Sequence, residues 1–142
     1  MTTRQAILLG IGLLILGAFA IGHRRSSALG TNWYSDFEKA SAESKKTGRL
    51  MMVDFNATWC EPCQQYKKDV FPSEEFKQAT KDMILVDIDI DDNPELAQRY
   101  RVDGIPDIRI ISPSGKQVGG MVGYDGSDGL LNQIEQAKRA AL

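Results

Sequence analysis

Histidine and cysteine are the scarcest chemistry-bearing residues in this chain, and their scarcity removes whole classes of function. There is one histidine, His23, and there are two cysteines, Cys60 and Cys63, among 142 residues. A structural zinc site takes about four ligands, and His23 lies far from the cysteine pair in sequence, so no metal site is expected. A copper-delivery site of the Cys and His type fails for the same want of histidine. Two cysteines do not make a disulfide scaffold, and their count alone does not choose a compartment. A dominant charge is missing too. Lys and Arg number 17 against 19 Asp and Glu, a formal charge of −2, and the basic residues are scattered among acidic ones, so no nucleic-acid partner is expected. Internal repeats and low-complexity blocks are also lacking. What remains, 42% hydrophobic and 25% charged, is the composition of a globular protein with room for one domain and an appendage.

The appendage is N-terminal. From Ala6 to Gly22 the chain carries no charge, with Arg4 before it and Arg24 and Arg25 after it. The run sits at the lower limit for a membrane-spanning helix and lacks the polar face of a buried core helix. Residues 1–22 therefore read as one hydrophobic helix, a membrane anchor. A cleaved signal peptide is the alternative, because Ala18-Phe19-Ala20 is an A-x-A-like cleavage site. No cysteine stands here, which excludes a lipoprotein-type N-terminus. The arginines alone would keep the following domain in the cytoplasm, whereas the signal-like architecture places it outside, on the periplasmic side; export is the reading taken. Residues 23–31 are a short polar linker, with His23 in it rather than in any site. Residues 32–142 are the folded domain.

That domain is organised around Trp59-Cys60-Glu61-Pro62-Cys63. Leu50 to Asn56 before it is apolar and reads as a buried strand. Gln64 to Val70 after it has neither Gly nor Pro and reads as a helix. The pair thus stands at a strand-to-helix junction, with Cys60 at the first turn, where unpaired N–H groups and the helix dipole favour a thiolate. Pro62 suits a first turn that needs no N–H. A C-x-x-C near a βαβ pattern is a signal for thiol redox chemistry, and as a purely structural link it would close too small a loop to add much stability.

Around this centre the order reads as follows. Thr31-Asn32 caps a helix from Trp33, with Trp33, Phe37 and Ala40 on one face and Gly48 as its stop. After the first strand and the cysteine helix, Phe71-Pro72-Ser73 breaks the chain and a short helix runs to about Thr80. Ile84 to Ile90 is a second strand, Pro94 opens a helix to about Tyr100, and Asp107–Ile111 and Gln117–Val122 are strands joined by the turn Ser112-Pro113-Ser114-Gly115. A last helix runs through Leu130, Leu131, Ile134 and Ala137. The fold class is α/β: one central mixed β-sheet flanked by helices on both faces.

Four stretches in this order resemble the thioredoxin superfamily: Val53-Asp54-Phe55 with Trp59-Cys60-Glu61-Pro62-Cys63, Gly104-Ile105-Pro106, Ser114-Gly115-Lys116, and Val122-Gly123-Tyr124. The stretch after Cys63 is similar to the C-terminal domain of DsbD-type thiol:disulfide interchange proteins, and it lacks the proline kink usual in cytosolic thioredoxins. Two positions depart from the family pattern. Asp107 replaces the usual threonine after the proline, and Asp87 stands where bacterial thioredoxins often carry a lysine near the buried acid. The resemblance implies a thioredoxin fold and a protein-disulfide reductase that works through a mixed disulfide. It implies Cys60 as the attacking thiolate and Cys63 as the resolving thiol, and Pro106 as a cis-proline.

Asp54 lies in an otherwise apolar strand, where a buried carboxyl would have a raised pKa and shuttle the proton of Cys63; strand alternation pointing it to solvent is the alternative. Trp59, Ile105 and Pro106 are the candidate substrate-binding surface, with the Ile105 backbone offered to an extended peptide. Glu61 and Pro62 are the candidates for redox tuning. Asp87, Asp89, Asp91 and Asp92 read as acids on the solvent face of a strand rather than a cation site. No cofactor is expected. The expected partners are protein thiols and disulfides, the membrane through residues 6–22, and a membrane thiol transporter as electron donor, with the chain a monomer. A disulfide oxidase or isomerase, or a non-catalytic peptide-binding module of the same fold, remains open on the same residues.

Overall fold

A computed structural model describes residues 32–142. The expected anchor and linker, residues 1–22 and 23–31, lie outside the described residues. Among those described, no helix is long and apolar enough to cross a membrane.

The first element corrects the expected one. Trp33–Tyr34 is a short strand, β1, and the helix α1 begins only at Phe37 and runs to Thr47. Its N-cap is Asp36, whose carboxylate accepts the Lys39 N–H at 3.1 Å, which satisfies one of the amides that a helix start leaves unpaired. Gly48 ends it in the left-handed conformation at φ 72°, where a Cβ would be strained. The helical spacing of Trp33, Phe37 and Ala40 was coincidental: Trp33 packs on one side of the sheet, against Phe71 and Phe76, while Phe37 and Ala40 belong to the core on the other.

Next come β2 (Met51–Asn56), α2 (Glu61–Gln65), α3 (Glu74–Thr80), β3 (Ile84–Asp89), α4 (Pro94–Arg99), β4 (Asp107–Ile111), β5 (Gln117–Val122) and α5 (Gly126–Ala140). The five strands make one sheet in the order β1-β3-β2-β4-β5. The pairs β1–β3 and β2–β3 are parallel, and β4 and β5 are antiparallel additions. The sheet is mixed, as its βαβ-then-hairpin order requires. Every residue of the central strand β2 is buried.

Alternation along the strands divides the core in two. Met51, Val53 and Phe55 face α1 and α4 with Ile84, Val86 and Ile88. Met52 faces the other way and packs with Ile108, Ile110, Tyr66, Val70, Leu130 and Ile134, under α2, α3 and α5. By the same alternation Asp54 and Asn56 point to the α2 side. At Gly119 the chain needs the missing side chain, since a Cβ there would stand 2.7 Å from that of Ala137. This lets α5 lie close on β5.

Candidate active site

The strand β2 ends at Asn56, and the chain turns through Ala57-Thr58-Trp59 into α2. This turn delivers Cys60 to the N-cap of α2, and its Sγ accepts the Cys63 backbone N–H at 3.3 Å. Glu61 and Pro62 fill the first turn, both exposed, and Pro62 has no N–H to leave unpaired there. The two cysteines are joined as a disulfide with Sγ–Sγ 2.05 Å. Cys63 is fully buried, and Cys60, for all its position at the edge of the domain, is only 4% exposed. Ala57 and the pair form a small apolar cluster, with Ile90 and Ile105 packed against it.

Two further elements bring their residues to this spot. The Ile105–Pro106 peptide is cis, and Pro106 is buried directly before β4. Trp59 lies open to solvent, 67% exposed, with its indole N–H donated to Asp91 Oδ2 at 2.8 Å. The structure therefore packs Ile105, which precedes the cis Pro106, against the cysteine cluster, with Trp59 next to Cys60 in the chain. Asp91, read from sequence only as a solvated acid, is the residue that orients the indole.

Asp54 is wholly buried, so strand alternation does not carry it to solvent. Its Oδ2 accepts from Asn56 Nδ2 at 3.2 Å, whereas Oδ1 has no hydrogen-bond partner among the described residues. Loss of water penalises the ionised form, and the neighbouring negative charge of Asp87 adds to the effect against the opposing pull of Lys67; together they push the Asp54 carboxyl up to about 8. At neutral pH it holds a proton.

Sequence reasoning missed Asn56 and Lys67 beside Asp54. The helical run continues past α2 but is not α-helical throughout: Tyr66–Val70 forms a π-helical turn, with the Phe71 N–H donated to Tyr66 O, five residues back, at 2.9 Å. From this turn Lys67 reaches Asp87 Oδ1 and Asn56 Oδ1, each at 2.8 Å. Asp87 is thus an ion-paired, largely buried acid on the α2 side of β3 and not a solvent-facing one. Asp107, the other departure from the family pattern, is buried and held by both arms of the Arg109 guanidinium at 3.0 and 2.6 Å. Tyr66 is buried as well, and its hydroxyl accepts the Asp125 N–H at 3.1 Å. Among the described residues no group of three His, Cys, Asp or Glu side chains is placed to hold a metal ion.

Comparison with known proteins agrees with this geometry. The thioredoxin-like family model matches residues 32–113. A thiol:disulfide interchange protein DsbD from Pseudoalteromonas atlantica is 29% identical over 89 residues, which are 60% of this chain but only 15% of that protein. A thioredoxin H-type from Fagopyrum esculentum is 31% identical over 102 residues, covering 72% of this chain and 80% of the relative. The solution structure of a thioredoxin from Thermus thermophilus superposes with a TM-score of 0.68 at 26% identity, over 75% of this chain and 86% of that one. The family model spans more than half of the sequence and contains the disulfide, β2 and the cis-proline loop, and the chain belongs to the thioredoxin-like family.

Proposed function

We propose that this chain reduces disulfide bonds in other proteins, with Cys60 as the attacking thiolate. Thiol–disulfide exchange follows from a C-x-x-C disulfide in a thioredoxin-like domain; the direction of electron flow is the proposed part. In the reduced state the Cys60 thiolate attacks one sulfur of a target disulfide. The target S–S bond breaks, a Cys60–target bond forms, and the other target sulfur leaves as a thiolate. Cys63 loses its proton and attacks Cys60 Sγ, which closes the intramolecular disulfide and releases the second target sulfur. Two electrons pass from the cysteine pair to the target.

Each neighbouring residue has a task in this scheme. The N-terminus of α2 stabilises the Cys60 thiolate through its free N–H groups. Glu61 and Pro62 tune that environment. Asp54, neutral when buried next to Asp87, first releases its own proton to solvent; the carboxylate then takes the proton of Cys63 and passes it to the departing target thiolate. Trp59 and the Ile105–Pro106 loop form the surface against which an extended target segment lies.

The observation that carries the reading is the closed Cys60–Cys63 disulfide at the start of α2, with a buried acid on the same face of the adjoining strand. We propose further, from the apolar run and the resemblance to DsbD-type proteins, that residues 6–22 hold the domain on the periplasmic side, that residues 23–31 are its tether, and that a membrane thiol transporter feeds it electrons.

The test is the reduction potential of the pair, by equilibration in glutathione and dithiothreitol buffers. A value near that of thioredoxin, about −270 mV, is expected of a reductase. A value near about −120 mV would make the protein an oxidant, and a pair that never opens would leave only a peptide-binding module. Cys63→Ser supplies the second readout: it should accumulate a Cys60–target mixed disulfide that the native pair resolves.

A further inference from the structure

In the parallel register of β2 and β3, Asp54 and Asp87 stand directly opposite each other. Two carboxylates on one rung of a buried sheet repel, and one ammonium, Lys67 Nζ, is paired with Asp87. Asn56 ties the three together. Its Nδ2 donates to Asp87 Oδ1 at 2.6 Å and to Asp54 Oδ2 at 3.2 Å, while its Oδ1 accepts from Lys67 at 2.8 Å. The amide has one workable orientation. Turned over, it would set its oxygen against two carboxylates and its NH2 against an ammonium.

The charge count then depends on a single proton. With Asp54 protonated, Asp87 and Lys67 balance. With Asp54 ionised, the cluster holds a net negative charge in a dry site. Asn56 occupies Asp54 Oδ2 and leaves Oδ1 as the atom free to give or take that proton. Lys67 stands four residues after Cys63, so the helix that carries the resolving thiol also carries the cation.

We infer that Asn56, Asp87 and Lys67 are positioning residues for Asp54, a charge-balanced trio that aims its free oxygen and sets the pH at which it accepts the Cys63 proton. This rests on the reading of Asp54 as proton acceptor. The other groups that face Asp54 do not undo the balance. Asp107 comes from β4, but its register partner is Phe55, so it points to the opposite side of the sheet and is paired with Arg109; its charge adds a smaller push in the same direction as that of Asp87 and is unchanged in the variants below. The Tyr66 hydroxyl comes from the π-helical turn; burial raises its pKa, so it is neutral through the working range.

The sign of each perturbation follows. Asp87→Asn removes the repelling charge and leaves Lys67 facing Asp54 through the amide, so Asp54 should ionise at lower pH. Lys67→Gln removes the cation and leaves two acids, so Asp54 should keep its proton to higher pH. A nearby charge of either sign moves a buried carboxyl by about one pH unit or more, which is about tenfold in rate at a fixed pH on the slope. Lys67→Arg should leave the midpoint close to the native one.

The experiment measures the full-length chain reducing insulin with dithiothreitol as donor from pH 5 to 10, alongside the carbon-13 carboxyl titration of Asp54 in the reduced protein. Opposite shifts in Asp87→Asn and Lys67→Gln, in both readouts, are expected. A packing defect would lower the rate without moving the two midpoints apart. If one variant does not fold, the other decides together with Lys67→Arg. Asp54→Asn separates the two ideas. If that variant keeps the native pH limb, the proton-acceptor reading fails. If it loses the limb while Asp87→Asn and Lys67→Gln leave the midpoint in place or move it in the same direction, the reading stands and the trio is refuted.

Discussion

Replacing Asp54 by Asn should stabilise the protein, and increasingly so as the pH rises. The carboxyl has an ordinary value of 3.8 and is pushed up to about 8 in the fold, mainly because it is cut off from water. Between these two values the folded chain binds a proton that the unfolded chain has released. Stability then falls with rising pH, because it changes in proportion to the protons bound unfolded minus those bound folded. About four pK units at ~1.4 kcal/mol each give a cumulative loss of ~6 kcal/mol by pH 8. The amide of the variant is near the carboxyl in size, has no ionised form, and so escapes this loss. Guanidinium chloride unfolding of the disulfide-closed protein at pH 4, 6 and 8, followed by tryptophan fluorescence, gives the difference directly, since ionisations elsewhere cancel between the two proteins. The variant should gain little at pH 4 and several kcal/mol at pH 8. Profiles parallel to within ~1 kcal/mol across that range would refute the argument, as would a native protein that gains on the variant with pH. The cost is the counterpart of the proposed role: a carboxyl held in place at the expense of stability is expected where chemistry uses it.

Two further outcomes test the frame around the site. At Gly120 the backbone has φ 146°, and a Cβ would collide with the Ile108 carbonyl oxygen of the neighbouring strand and stand 3.1 Å from Arg109 Cα; Gly120→Ala should cost ~2–4 kcal/mol by denaturant unfolding, whereas Gly48→Ala, with open space at its φ of 72°, should cost only ~1 kcal/mol. Arg109→Ala would leave Asp107 buried with its charge uncompensated beside the cis-proline loop, and a loss of ~3 kcal/mol or more in thermal or denaturant melts is expected; a loss under ~1 kcal/mol would mean that water reaches Asp107 when the guanidinium is gone.

Much of this architecture was legible in the sequence because the signals were local. The apolar run Met51–Asn56, the capping Ser73, Pro94 at a helix start and the Ser112–Gly115 turn each act within a few residues, and each is found where its chemistry places it. β1 was not legible. It is two residues long, and its partner among the described residues, β3, lies some 50 residues onward at Leu85 and Val86, so nothing near Trp33 announces a strand. The apolar spacing there imitates a helix because residues bound for opposite faces of the sheet happen to stand four apart. The π-helical turn was hidden for a different reason. No Gly or Pro marks it, and the i−5 bond of Phe71 shows only once the ring of Phe71 has a place between Tyr66 and Phe76.

The charged centre of the site shows most clearly what a one-dimensional reading loses. In sequence, Asp87 belongs to an acidic alternation and reads as solvated, and nothing singles out Lys67 in the stretch after Cys63. The parallel register of β2 and β3 sets Asp87 opposite Asp54, and the turn after Cys63 swings Lys67 inward to meet it. The strand position is thus filled by an acid, and the compensating cation comes from the cysteine-bearing helical run. The departure noted in the sequence adds no unbalanced charge. It moves the cation to another element, which makes the protonation of Asp54 depend on how α2 sits on the sheet. A substitution that loosens that helix without touching a charge, such as Val70→Ala in its π-helical turn, should therefore shift the pH profile of disulfide exchange toward that of Lys67→Gln, to higher pH. A stability loss from Val70→Ala with no movement of the profile would show that the cation's position does not depend on the helix packing.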